Sequence, residues 1–196
     1  MESTLPMLNM RYLLFLKKTG LNPKYFYDIG SSNKCWSQVM GAIFPDIRCY
    51  TFDAHKPYKA EFPVCLSSRD NDAVIFYNHS EHIKSYFLLT DQKSEDTELL
   101  YTIKLDSFVN EQSLETPDII KINCCGAEKD IIEGGIETIK KAKYLIVTLN
   151  NYEIFDDAPT AKITGPYIGE LGFEMINALD NNGLGLIDYV FKNKNI

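Results

Sequence analysis

The sequence predicts an α/β fold with a Rossmann-like, mostly parallel central sheet, helices on both of its faces and a C-terminal antiparallel hairpin. Three observations predict it. Short apolar runs rich in β-branched and aromatic residues alternate with stretches of helical periodicity. One run, PDIIKIN at 117–123, is apolar almost throughout, as in a strand covered on both faces. Two closing β-segments, FEMINAL at 173–179 and IDYVFKN at 187–193, flank the turn-forming NNGLG.

The elements follow in order. Leu5, Leu8, Tyr12, Phe15 and Leu16 are spaced for one apolar helix face, which Thr19 and Gly20 bring to an end. KYFYDIG (24–30) reads as a short buried strand running into a glycine turn. A helix follows over 34–43 and stops at Pro45. IRCYTFD, FPVCL, AVIFYN and YTIKLDSFV read as further β-segments. After PDIIKIN, GAEKDIIEGGIETIKKA (126–142) reads as a helix with Ile131, Ile132, Ile136 and Ile139 inward. KYLIVTL is another buried strand, and a helix around 160–171 ends at Gly172. No repeat, low-complexity tract or linker divides the chain. The expectation is one domain over 1–196, an N-terminal helix within 1–22 followed by a core over 23–196.

Bulk properties narrow the function. The chain has 196 residues, 45% hydrophobic and 24% charged, enough for one sizeable core. Its net charge of −7 and scattered lysines argue against a nucleic-acid partner, which calls for a basic face. No run approaches the roughly twenty apolar residues of a membrane span. The five cysteines, Cys35, Cys49, Cys65, Cys124 and Cys125, are odd in number, which favours reduced thiols in a cytoplasmic protein. None has zinc-ligand spacing, so no metal site is expected.

In a doubly wound sheet, ligands bind beyond the carboxyl ends of the strands where strand order reverses. Four segments qualify: Asp28 to Ser32, Asp53 to His55, Ser67-Ser68, and Asn123-Cys124. Gly30 permits backbone angles closed to other residues and lets a ligand approach the main chain. Asp53 follows at the distance where a carboxylate takes the two hydroxyls of a ribose, although it also suits a helix cap. The turn DIGSSNKCW lacks the GxGxxG of a pyrophosphate site, and S-adenosylmethionine carries no phosphate.

These motifs, taken together, resemble the FkbM-type methyltransferases, a class I S-adenosylmethionine-dependent family that often methylates sugar hydroxyls. DIGSSNKCW at 28–36 matches a first motif of the form DVGANxGxW. FDAHKP at 52–57 stands where the family ends a strand in FEP, and IKLDSF at 103–108 matches TLDSF. IIKINCCGAEKDIIEGG at 119–135 matches LLKIDVEGAELEVLKGA, and the tail pattern is met at 170–173 and 188–191. The matches run colinearly over residues 5–192. Three departures stand out: Lys34 for a glycine, Asp53 for a glutamate, and Asn123 for the aspartate ending the central strand.

The resemblance implies S-adenosylmethionine held by Asp28, Gly30, Ser31, Ser32, Asp53, Ala54, Ser67, Ser68 and Asn123. It implies O-methylation of a sugar or glycan, and with no separate acceptor-binding segment in the sequence, the expected partners extend to a larger glycan-building enzyme of which this is one module. Methyl transfer to oxygen needs an in-line hydroxyl and an exit for its proton. His79 and His82 in NHSEH are the expected bases, or else solvated surface residues. Asn123 is expected to orient cofactor or acceptor. Glu128 is a site carboxylate or a first-turn acid favoured by the helix dipole. With Asn123 in place of the acid, transfer is expected to need no divalent ion. The other reading is a catalytically silent methyltransferase fold kept as an interaction module.

Overall fold

Every backbone group of a strand buried on both faces needs a neighbour in the sheet, and two short strands meet that demand at the molecule's centre. They are β1 (Tyr25–Ile29) and β7 (Ile119–Ile122), nearly all of whose residues are buried. The computed structural model describes residues 7–77, 87–88, 97–152, 159–180 and 186–196. Around the central pair lie β2 (Arg48–Phe52), β8 (Tyr144–Asn150), β9 (Phe173–Asp180) and β10 (Leu186–Asn193), in the order β2-β1-β7-β8-β10-β9. The first four are parallel, and β10 runs antiparallel to both β8 and β9. The expected hairpin is therefore present, with its second strand inserted between the first and the rest of the sheet.

Helices cover both faces. On one face α1 (Met7–Lys18) and α2 (Cys35–Ile43) bring Leu13, Trp36, Met40 and Ile43 against Phe26, Ile119 and Ile146. On the other, α3 (Leu105–Glu111), α4 (Glu128–Gly134), α5 (Ile136–Ile139) and α6 (Ala161–Glu170) bring Leu105, Ile131, Ile139 and Ile168 against Ile120, Ile122 and Val147. A second sheet, not expected from the sequence, joins β3 (Cys65–Leu66), β4 (Ala73–Tyr77), β5 (Phe87–Leu88) and β6 (Thr97–Ile103) in the order β3-β6-β4-β5. A parallel bridge between Phe52 and Phe62 leads from the end of β2 toward it. No helix among the described residues is long and apolar enough to cross a membrane.

Three local readings are corrected. YTIKLDSFV is not one β-segment: β6 ends at Ile103 and α3 begins at Leu105. Asp106 in that helix accepts the backbone N–H groups of Glu137 and Thr138, a contact invisible to local periodicity. The helix expected over 126–142 divides at Gly135, where a Cβ would stand 2.7 Å from the Leu105 side chain. In α1 the buried face is Asn9, Leu13 and Leu16, and Phe15 is 56% exposed.

Asn9 sets that rotation. Its Nδ2 donates to Asp188 Oδ2 at 2.6 Å, deep in the interface between α1 and the sheet. Asp188, on β10, is ion-paired at 3.2 Å with the ammonium of Lys121, on β7. Thr148 Oγ1 joins them by donating to Asp188 Oδ1 at 2.6 Å, and the ammonium lies 5.4 Å from the centre of the Trp36 ring. Burial alone would push the Asp188 carboxyl up, but Lys121, Thr148 and Asn9 hold it below the usual carboxylate range.

Candidate active site

The chain leaves β1 toward β2 on one side and returns to β7 on the other, so the carboxyl ends of β1 and β7 diverge into a crevice. Three strand ends are stitched together there. Gly30 and Ser31 both donate their N–H to the Phe52 carbonyl, at 2.9 and 3.1 Å, and Asn123 N–H donates to Ile29 O at 2.9 Å. Gly30 has φ +73, and a Cβ on it would lie 2.0 Å from the Asn123 carbonyl oxygen. Glycine is thus required twice over, by backbone angle and by the approach of the two main chains.

Beyond Gly30 the turn tightens. Ser32 and Lys34 are both left-handed, with φ 45 and 62, and Lys34 N–H donates to Ser31 O at 2.6 Å. A lysine held in this region carries strain of roughly 1 kcal/mol that a glycine would not. Asp53, at the end of β2, completes the frame: Oδ2 accepts Ser32 N–H at 2.8 Å and Oδ1 accepts His55 N–H at 2.9 Å. A carboxylate offers about four lone-pair sites, so Asp53 keeps capacity for further O–H donors. Burial raises its pKa, although those two N–H groups work to lower it.

The resulting cavity measures about 140 Å³. Gly30, Ser32, Asp53, Ala54 and Asn123 line it, five of the residues expected from the sequence. Phe52, Tyr58, Leu66 and Phe76 supply an apolar wall, and Cys65, Cys124 and Cys125 also face it. Two of these thiols, those of Cys65 and Cys124, are poor nucleophiles. Burial pushes Cys65 up to about 12 and Cys124 well above its ordinary value.

Four expected cofactor residues lie outside the lining. Asp28 is buried beneath the turn, where its Oδ2 accepts the backbone N–H of Ser37 at 3.1 Å and the Ser37 hydroxyl at 2.6 Å. Ser31 is buried beside it, and its hydroxyl has no partner among the described residues. Ser67 and Ser68 sit on the far side of β3, where a Cβ on Gly134 would meet Ser67 O at 2.0 Å. Their place in the wall is taken by Cys65 and Leu66. Glu128 is buried too: its two oxygens accept Cys124 N–H at 2.7 Å and Gly126 N–H at 2.9 Å. It holds the loop after β7 in shape, as a first-turn acid of α4. His79 and His82 lie outside the described residues, and among those described no cluster of three metal-ligating side chains occurs.

Asp28 gives this frame a pH signature. Burial lifts its carboxyl to about 6, against the lowering effect of Ser37 and Lys121. A folded-state value above the unfolded one favours the neutral acid, so this contribution to stability is complete below about pH 4 and is lost as pH rises through about 6. Asp28→Asn, which keeps an acceptor for Ser37 but cannot ionise, should gain stability relative to the wild type across that window. Thermal midpoints of both proteins from pH 4 to pH 7 test this. A constant difference between them would show that Asp28 does not titrate there.

A profile of the family described as the Methyltransferase FkbM domain matches residues 46–183. The chain belongs to the FkbM methyltransferase family. This FkbM chain is 34% identical over 55 residues to the 2-O-methyltransferase NoeI of Sinorhizobium fredii (strain NBRC 101917 / NGR234), covering 28% of its own length and 23% of NoeI. Among solved structures it is similar to the methyltransferase FkbM from Methylobacillus flagellatus KT, with a TM-score of 0.61 and 11% identity. That match covers 97% of this chain and 48% of the other. It also resembles the O-methyltransferase from Bacillus cereus in complex with SAH, with a TM-score of 0.54, 14% identity, and coverage of 97% and 82%. The chain thus spans about a quarter of NoeI and about half of the M. flagellatus protein. These likenesses establish the class I methyltransferase fold.

S-adenosylmethionine is the cofactor of this family, and the residues lining the cavity fit it. Gly30 and Asn123 line the cavity where the main chains of the turn after β1 and of the end of β7 pack against each other. Asp53 retains lone pairs for a ribose diol, and Phe52, Leu66 and Phe76 offer apolar contact to a flat base. In this FkbM chain Lys34, which stands in place of the motif glycine, has a left-handed backbone with φ 62. Cys125, which stands where the family pattern has its first glutamate, is likewise left-handed, with φ 50.

Proposed function

We propose that this chain is an S-adenosylmethionine-dependent O-methyltransferase whose acceptor is a sugar hydroxyl of a glycan or glycoside. The observation that carries this reading is the frame at the switch point, where Asp53 and the Gly30 turn line one cavity with a strand end bearing the exposed, uncharged Asn123. When bound, S-adenosylmethionine supplies an electrophilic methyl group on a sulfonium. The residues of the chain have three tasks: to hold that group in line with a hydroxyl oxygen, to orient the hydroxyl, and to receive its proton as the new C–O bond forms.

Asp53 holds the ribose, and the main chain at Gly30 and Asn123 accommodates the amino-acid end. Asn123 and the end of β8 orient the acceptor. Asn150 suits that task, since its Oδ1 is buried without a partner among the described residues and accepts from O–H donors. Asn151 beside it accepts from Tyr189 Oη at 2.8 Å. His79 or His82 is the proposed base. The similarity to NoeI, a 2-O-methyltransferase, supports oxygen as the nucleophile. The net charge of −7 favours a neutral glycan over a polyanion.

Incubation with labelled cofactor and a panel of deoxyhexose glycosides, RNA and small phenols tests the acceptor. Label is expected on glycosides. Transfer to RNA or phenols, with none to any glycoside, would reject the sugar assignment. Asn123, standing where the family has an acid, also favours a second reading, a catalytically silent fold that serves as an interaction module. Tight S-adenosylhomocysteine binding with no transfer to any acceptor would support that reading instead.

A further inference from the structure

The turn after β1 lines the cavity through Gly30 and Ser32, the loop after β2 lines it through Asp53, Ala54 and Tyr58, and the two are joined at two levels. At the base, Asp53 accepts N–H groups from Ser32 on one side and His55 on the other. Nearer the surface, Lys34 Nζ donates to the carbonyl oxygen of Lys59 at 2.6 Å. Lys59 is itself left-handed, with φ 50, and closes a 3-10 turn over Lys56–Tyr58 by donating its N–H to Lys56 O at 3.0 Å. That turn carries Tyr58, which lines the cavity and meets the His55 ring edge-on at 4.6 Å between centroids. Lys56 is ion-paired to Glu98, so the turn is also fastened to β6.

The Lys34 backbone favours glycine, so a side chain there strains the free protein without filling any core. We propose that Lys34 is a positioning residue: its ammonium straps the Tyr58 turn to the turn after β1 and slows the release of a bound nucleoside. The inference rests on the reading that this cavity holds S-adenosylmethionine. It separates two quantities that a structural residue would move together. Removing the side chain relieves backbone strain in the free protein but loosens the wall around the ligand.

Lys34→Gly and Lys34→Arg test it, with S-adenosylhomocysteine as the probe. Kd comes from calorimetric titration, the off-rate from stopped-flow displacement, and the thermal midpoint is taken without ligand. Lys34→Gly should keep or raise the midpoint while Kd rises about fivefold through a faster off-rate, because the wall around the ligand is no longer held in place before binding. Lys34→Arg, which retains a cationic donor, should stay near the wild type in both Kd and off-rate. Wild-type Kd and off-rate in Lys34→Gly would overturn the strap. A lowered midpoint together with weaker binding would overturn it as well, by making Lys34 a residue of the fold. A wild type that binds no S-adenosylhomocysteine would instead reject the cofactor site, and the strap with it.

Discussion

Asp53→Ala is expected to raise the Kd for S-adenosylhomocysteine by roughly 100-fold or more while leaving the midpoint of the ligand-free protein nearly unchanged. Each hydrogen bond to a charged group contributes about 1.5–3 kcal/mol, and a ribose diol makes two with a carboxylate. The free protein loses little, because the N–H groups of Ser32 and His55 that Asp53 accepts lie at a cavity where water can replace it. Asp53→Asn keeps the shape and one acceptor oxygen, so it controls for damage to the turn and should weaken binding less. Undiminished binding in Asp53→Ala would remove the ribose from this strand end. Tight NAD binding with none of S-adenosylhomocysteine would replace the cofactor altogether.

The second large effect lies in the fold. Asp188→Ala leaves the Lys121 ammonium buried at the centre of the sheet with its counter-charge removed. Breaking a buried pair in this way costs about 3–5 kcal/mol. For a chain of this length that lowers the thermal midpoint by roughly 6–20 °C. Replacing both partners, as in Lys121→Met with Asp188→Leu, should recover much of the loss, because the desolvation of two charges is avoided. Equal destabilisation by the single and double changes would mean that the pair matters through packing alone. Because the Asp188 carboxyl is held low, its contribution is present above about pH 4 and is lost only as pH falls below that.

How far the site was legible depended on whether a residue's role is local. Gly30, Ser32, Asp53, Ala54 and Asn123 stand at strand ends, and strand ends are marked in the sequence by where apolar runs stop. All five line the cavity. The apolar wall was not legible, because Tyr58, Leu66 and Phe76 come from three separate segments and meet only once the second sheet has formed. Ser67 and Ser68 follow directly on a part of the wall that ends at Leu66, and Ser67 lies against Gly134. The role of Glu128 was open between site and cap, and it is its bonds to Cys124 and Gly126 that show it holding the loop. The rotation of α1 depended on a partner 179 positions away, which no helical period reports.

The position of β10 constrains how the chain is made as well as how it stands. It is the last strand in sequence, yet it lies fifth in the sheet, between β8 and β9. During synthesis β9 emerges first and has no neighbour to pair with in its final place. Lys121 meanwhile waits on a finished central strand without its acid, because Asp188 is still to be translated. A nascent chain halted before residues 186–193 therefore exposes an open strand edge beside a buried, uncompensated charge, the kind of intermediate that chaperones retain. The far half of the sheet, and the helix that Asn9 anchors to it, are completed only after that segment has left the ribosome.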